Sequence, residues 1–174
     1  NNNFRNKRLV RSEFNQPLGN SLANCTALTH IFFGYSFNQP LGNSLDNCTK
    51  LTHIHFCCEF NQQLTNSLDN CTVLTHINFG WYFNQPLDNS LNNCTALTHI
   101  RFGYFNQPLA NSLDNCTVLT HINFGHKFNY PLCDFLYNHP LLVHLGLGYY
   151  FNQKVNLPLK LRSLSLNSNN GNLT

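Results

Sequence analysis

Six histidines recur at one spacing: His30, His53, His76, His99, His121 and His144 follow each other at 22 or 23 residues. Imidazole titrates near neutrality and is a common metal ligand. Set side by side, six of them could share a zinc ion, repel on protonation and so sense a pH of about 6, or stack as a neutral surface. No carboxylate accompanies the column, and metal centres need three or four convergent ligands. The neutral stacked surface is the reading favoured by the residues, with no metal and no cofactor expected. Cysteine repeats in the same way at Cys25, Cys48, Cys71, Cys94 and Cys116. Five is an odd number and no pair has C-x-x-C spacing, so disulfides and thiolate centres are disfavoured. A reduced Cys used as a small hydrophobe is expected instead. Cys57 and Cys58 lie outside this column and are the more accessible thiols; Cys133 has no assigned role.

Constellations for enzymatic chemistry are missing from the sequence. The seven acids (Glu13, Asp46, Glu59, Asp69, Asp88, Asp114, Asp134) form no catalytic pair. No G-x-S-x-G, phosphate-binding glycine loop or H-E-x-x-H occurs. Ser21, Ser44, Ser67, Ser90 and Ser112 repeat as turn residues, and repetition argues against a unique nucleophile. The expectation is a protein that is not an enzyme and takes no small-molecule substrate.

What places all these columns is the repeat itself. Phe-Asn begins at Phe14, Phe37, Phe60, Phe83, Phe105, Phe128 and Phe151, within a unit FNQPLxNSLxNCTxLTHIxFGxx. A period in the low twenties is too short for helical-hairpin repeats or propeller blades and fits one strand per turn of a solenoid. Leu22, Cys25, Leu28, Ile31 and Phe33 read L-x-x-C-x-x-L-x-x-I-x-F, the core pattern of a leucine-rich repeat. Thr29–Phe33 alternates as a strand, with Ile31 and Phe33 inward and His30 and Phe32 outward. The equivalents are Thr52–Phe56, Thr75–Phe79, Thr98–Phe102, Thr120–Phe124, Val143–Leu147 and Ser163–Leu166. Prolines after Phe-Asn-Gln suit a tight outer turn rather than a long helix. The expected fold is a leucine-rich-repeat-like solenoid of about seven 22–23-residue coils, with one parallel sheet and an outer arc of mostly short turns. Residues 14–166 would form it, residues 1–13 a partial coil or cap, and residues 167–174 a polar tail. Neighbouring coils must stack, because one coil cannot enclose its own apolar side chains.

The chain has 174 residues, 42% of them hydrophobic and only 10% charged, and 30 asparagines take up much of the polar surface. Four basic residues fall within the first eleven positions, leaving six basic against seven acidic beyond them. That balance disfavours nucleic-acid binding. No apolar run is long enough to span a membrane. The start carries no secretory leader pattern, and with no methionine anywhere the sequence reads as a piece of a longer protein. The column Asn15, Asn38, Asn61, Asn84, Asn106, Asn129 and Asn152 should bridge coils by hydrogen bonding to turn backbone. Asn-Cys-Thr sequons at Asn24, Asn47, Asn70, Asn93 and Asn115 would accept glycans in a secreted protein.

The repeated FGxxFNQPL, with L-T-H-I-x-F before it, resembles the FNIP repeat, a leucine-rich-repeat variant of amoebae and giant DNA viruses. The resemblance spans about Phe14 to Leu166. It implies a substrate receptor for a ubiquitin ligase where an F-box precedes the repeats, and Asn1–Glu13 is too short to be one. A bacterial surface group also uses Phe-Asn-Gln-Pro-Leu; its usual Trp and Met positions are absent here.

Individuality is encoded where otherwise identical coils differ. The outward strand position beside His reads Phe32, His55, Asn78, Arg101, Asn123, Gly146, Ser165, and the residues after the strand end include Tyr35, Trp81, Tyr82, Tyr104, Tyr149 and Tyr150. Aromatic and Arg side chains on a concave strand face are typical interface anchors; the alternative is that they cap the sheet edge. The expected role is protein–protein interaction through Phe32, Tyr35, His55, Trp81, Tyr82, Arg101, Tyr104, Tyr149 and Tyr150. The alternative is a secreted or surface adhesin-like rod. Reduced cysteines favour a cytoplasmic setting, that of the host cell for a viral protein; the rod reading places it outside the cell.

Overall fold

The structure is a computed structural model that describes residues 13–166. Each coil after the first begins with a buried Phe and turns outward after Phe-Asn, most often at Gln-Pro-Leu. Backbone bonds three residues apart then close a run of turns: Ser44 N–H to Leu41 O at 3.0 Å, Cys48 N–H to Leu45 O at 2.9 Å, Leu51 N–H to Cys48 O at 3.0 Å. These turns aim Leu41, Leu45, Cys48 and Leu51 inward, where all are buried. Thr-His-Ile then enters the sheet. The strands are β1 (His30–Phe32), β2 (His53–His55), β3 (His76–Asn78), β4 (His99–Arg101), β5 (His121–Asn123), β6 (His144–Leu147) and β7 (Ser163–Leu166). They pair in parallel in chain order to form one seven-stranded sheet. His pairs with His from β1 through β6, and Ile54 with Ile31 and Ile77.

Strands β1 to β6 are shorter than the expected five residues, whereas β7 covers Ser163–Leu166 as expected. β1 to β6 begin at His, and the carbonyl just before the strand is shared: Thr29 O accepts both Thr52 N–H at 2.8 Å and His53 N–H at 3.0 Å. Pairing continues past the other strand end, where Phe33 N–H reaches His55 O at 2.8 Å.

Two columns of Phe rings run the length of the core. Phe14, Phe37, Phe60, Phe83, Phe105, Phe128 and Phe151 stack with centroids 6.0–6.3 Å apart and planes within 8° of parallel. Phe33, Phe56, Phe79, Phe102 and Phe124 form the second column and touch the first at 3.9–4.4 Å. Gly103 lets successive strand ends close up: a Cβ there would lie 2.6 Å from the Trp81 Cα and carbonyl oxygen.

The sixth coil departs from the rule. Its outer arc is a helix, α1 (Cys133–Asn138), with Leu136 N–H bonded to Leu132 O at 2.9 Å. Here Asp-Phe-Leu-Tyr replaces the Asn-Ser-Leu-x of the other coils. Phe135 stands where the other coils carry a turn-favouring Ser, and it and Leu136 are buried. His139 fills the place held by Cys in the other coils. It is 1% exposed, with Nδ1 2.7 Å from Phe135 O and Nε2 3.0 Å from Leu113 O. The last coil is short: Ser163 pairs with His144, a step of 19 residues. The expected terminal segments lie outside the described residues, apart from Glu13.

Candidate interaction face

Alternation along each strand puts Ile in the core and leaves the residues on either side of it on the solvent face. On that face the imidazoles of His30, His53, His76, His99 and His121 stack with centroids 4.1–4.3 Å apart and planes 8–12° from parallel. The step to His144 widens to 5.7 Å. The reason lies one residue earlier. Thr52, Thr75, Thr98 and Thr120 hold the Nδ1 atoms of His53, His76, His99 and His121 at 2.8–2.9 Å. His144 follows Val143, which has no hydroxyl.

The same hydroxyls donate to the Thr carbonyl of the preceding coil at 2.9–3.1 Å. A hydroxyl has one proton, and here it is used on that carbonyl. It therefore accepts from Nδ1–H, and these four imidazoles are held as the Nδ1–H tautomer. Their Nε2 atoms are left as acceptors. Burial, then the neighbouring imidazoles, lowers the pKa of His53 and His76, and takes that of His99 down to about 4. His144 is lowered by burial and by His121. Among the described residues, no group of three or more His, Cys, Asp or Glu is placed to hold a metal ion.

Beyond the strand ends a second surface assembles. Trp81 lies 4.9 Å from Tyr104 and 5.4 Å from His126, with both rings tilted to it. Tyr82 meets Tyr104 at 6.0 Å, edge to face. Lys127 Nζ stands 4.9 Å over the Tyr104 ring, a cation–π contact. Trp81 is 42% exposed, and Arg101 is also exposed. A cavity of about 300 Å³ opens beside the cluster, lined by residues that include His55, Asn78, Trp81, Arg101 and His126. On its wall Asn78 Nδ2–H donates to His55 Nδ1 at 3.2 Å. Burial, then the Arg101 charge, lowers the His55 pKa.

The residues expected to bind a partner thus separate into four places. Trp81, Tyr82, Arg101 and Tyr104 converge. Phe32 packs near His55 at 5.9 Å, toward the first strand, and is 72% exposed. Tyr149 and Tyr150 meet edge to face at 5.1 Å near the last coils. The Tyr35 carbonyl accepts the Glu59 N–H at 3.2 Å, two coils before Trp81. His126, Lys127, Asn78 and Asn123 complete the central surface. They occupy the same variable columns, and that was the available signal.

The remaining columns face inward or along the outer arc. Asn15, Asn38, Asn61, Asn84, Asn106 and Asn129 each accept, at Oδ1, the backbone N–H of the corresponding Asn one coil on, at 2.7–3.0 Å. Asn47, Asn93 and Asn115 donate through Nδ2 to carbonyls of the preceding coil. Ser44, Ser67 and Ser112 donate to the carbonyls of Leu41, Leu64 and Leu109. Cys48, Cys71, Cys94 and Cys116 are reduced and buried. Burial, then neighbouring charge, pushes Cys71 up to about 12, and burial alone takes Cys116 to about 12.

Solved structures share this architecture. An internalin (inlF) from Listeria monocytogenes str. 4b F2365 superposes with a TM-score of 0.70 at 20% identity, over 87% of this chain and 45% of that one. CroV588, a circular LRR protein, superposes with a TM-score of 0.61 at 34% identity, over 81% of this chain and 24% of that one. This chain therefore spans less than half the length of either protein. The fold is a leucine-rich-repeat-like solenoid. No family model and no curated protein matches the sequence.

Proposed function

We propose that the chain is a protein-interaction module that grips its partner at the strand-end cluster of Trp81, Tyr82, Tyr104 and Arg101. One observation carries this reading: three large aromatic side chains and two cations come together from successive coils, with Trp81, Tyr82, Arg101 and Lys127 exposed. Aromatic and Arg side chains at the centre of a patch supply most binding energy in protein interfaces. Arg101, His126 and Lys127 favour a partner surface that offers carboxylates and a pocket for Trp81. The FNIP-like repeat supports a finer role, recognition of substrates for ubiquitin ligation when an F-box accompanies the repeats in the whole protein.

The test compares the full chain with W81A/R101A/Y104A as bait in quantitative co-purification, with thermal melts of both. A protein enriched by the first and lost with the second, at equal melting temperature, supports the reading. Identical captures by both baits remove this face. A second reading, a secreted or surface rod, draws on the exposed sequon residues Asn24, Asn47, Asn70, Asn93 and Asn115. Glycans found at these asparagines by mass spectrometry of natively expressed protein would favour it.

A further inference from the structure

The second coil breaks the pattern that ends the strands. Gly80-Trp81, Gly103-Tyr104, Gly125-His126 and Gly148-Tyr149 follow β3 to β6, but Cys57-Cys58 follows β2. Both cysteines are partly exposed, and both line the cavity of about 300 Å³ with His55, Trp81, Arg101 and His126. Their sulfur atoms stand 3.9 Å apart. The buried column thiols differ in kind. Cys94 and Cys116 are sealed in the core with their Sγ atoms turned to backbone carbonyls at 3.7–3.9 Å.

We propose that Cys57 and Cys58 form a bidentate site for a soft, thiol-seeking metal ion of the monovalent copper class, with a third ligand supplied from solution. The bite distance is the first support. Metal–sulfur bonds of about 2.3 Å reach sulfurs 3.9 Å apart at an S–metal–S angle of roughly 116°, between tetrahedral and trigonal. The ligand count is the second. No third His, Cys, Asp or Glu converges among the described residues, whereas structural zinc takes four protein ligands and hard cations take oxygen. Thiolate-only sites select soft ions such as Cu(I).

A disulfide is the competing fate of two neighbouring thiols. Adjacent Cα atoms are held about 3.8 Å apart by the peptide, short of the roughly 4.4–6.8 Å usual for disulfides. A bridging ion relieves that mismatch. Arg101 lines the same cavity. In the binding step each thiol loses its proton to solvent and two S–Cu bonds form. Copper enters and stays as Cu(I), so no electrons move. The site is independent of the partner reading and is tested without any partner.

The experiment is an anaerobic titration of the full chain with Cu(I) in competition with bicinchoninate, a chromogenic Cu(I) chelator. The chain is compared with C57S, C58S, C57S/C58S and, as a control, C25S, each checked by circular dichroism for an intact fold. The expected result is one Cu(I) withheld from the chelator per chain, lost in C57S/C58S and in both single variants, and unchanged in C25S. Two results overturn the proposal: copper retention that survives C57S/C58S, or surrender of all copper by the unsubstituted chain. Phenylarsine oxide gives a second readout. It should form a single adduct, the arsenical less one water, that maps to the Cys57-Cys58 peptide, and its placement on other cysteines would count against the site.

Discussion

The imidazole of His99 lies 4.1 Å from that of His121 and 4.2 Å from that of His76, nearly parallel to both. A proton added to His99 therefore sits between rings that would also carry charge, in a half-buried column. Its pKa falls to about 4, first through burial and then through the neighbouring imidazoles. The unfolded chain, with ordinary imidazoles near pH 6.5, takes up protons first as pH drops. Stability is then full above about pH 6.5 and declines as pH falls toward about 4. Thermal melts across this window should show a steadily falling midpoint, and His99→Asn should flatten the slope. A midpoint that does not move between these values would contradict the stacked column.

Phe83 is fully buried between the Phe60 and Phe105 rings, whereas Phe14 ends its column half exposed. Phe83→Ala should cost about 3–5 kcal/mol. Phe14→Ala should cost far less, because part of its ring is already in water. Urea unfolding of the two variants checks the contrast, and equal losses would go against the continuous core.

Asn84 Oδ1 accepts the Asn106 N–H at 2.7 Å across a coil boundary. Asn84→Ala leaves that donor without its partner, at a cost of about 1–3 kcal/mol. Asn84→Asp keeps an acceptor oxygen in place and should lose less. Chemical denaturation of the pair tests whether the bond, rather than side-chain volume, sets the cost.

Ala110 has φ 44°, the left-handed region, at the place where the first two copies have Gly19 and Gly42 with φ 50° and 51°. Holding alanine there costs about 1–3 kcal/mol, while glycine adds unfolded-chain entropy of about 0.4–1 kcal/mol. Ala110→Gly should therefore stabilise the chain by about 1 kcal/mol, read as a higher melting temperature. A drop in stability would mean that this turn is not strained.

The recurrence of His-Ile and Phe-Asn made the solenoid, the parallel sheet and the inward and outward alternation legible in the sequence. Period alone fixes which residues stack. It does not reveal where a turn demands left-handed backbone, because Thr65, Asp88 and Ala110 occupy that place as well as glycine. Nor did it announce α1, which arises where Phe135 takes the place held by a turn-forming Ser in the other coils. The central surface was half legible: Trp81, Tyr82, Arg101 and Tyr104 stood out as departures from the repeat. His126 and Lys127 stand in the same variable column, and stacking brings that next strand end, 22 residues on, to Tyr104.

Nuclear magnetic resonance of histidine-labelled protein most directly tests the in-register stacking on which the site depends. The account expects imidazole-to-imidazole Overhauser contacts running in order from His30 to His121, with Nδ1 protonated at His53, His76, His99 and His121. Rings that show no contact with their neighbours in this order, or that carry the proton on Nε2, would contradict it.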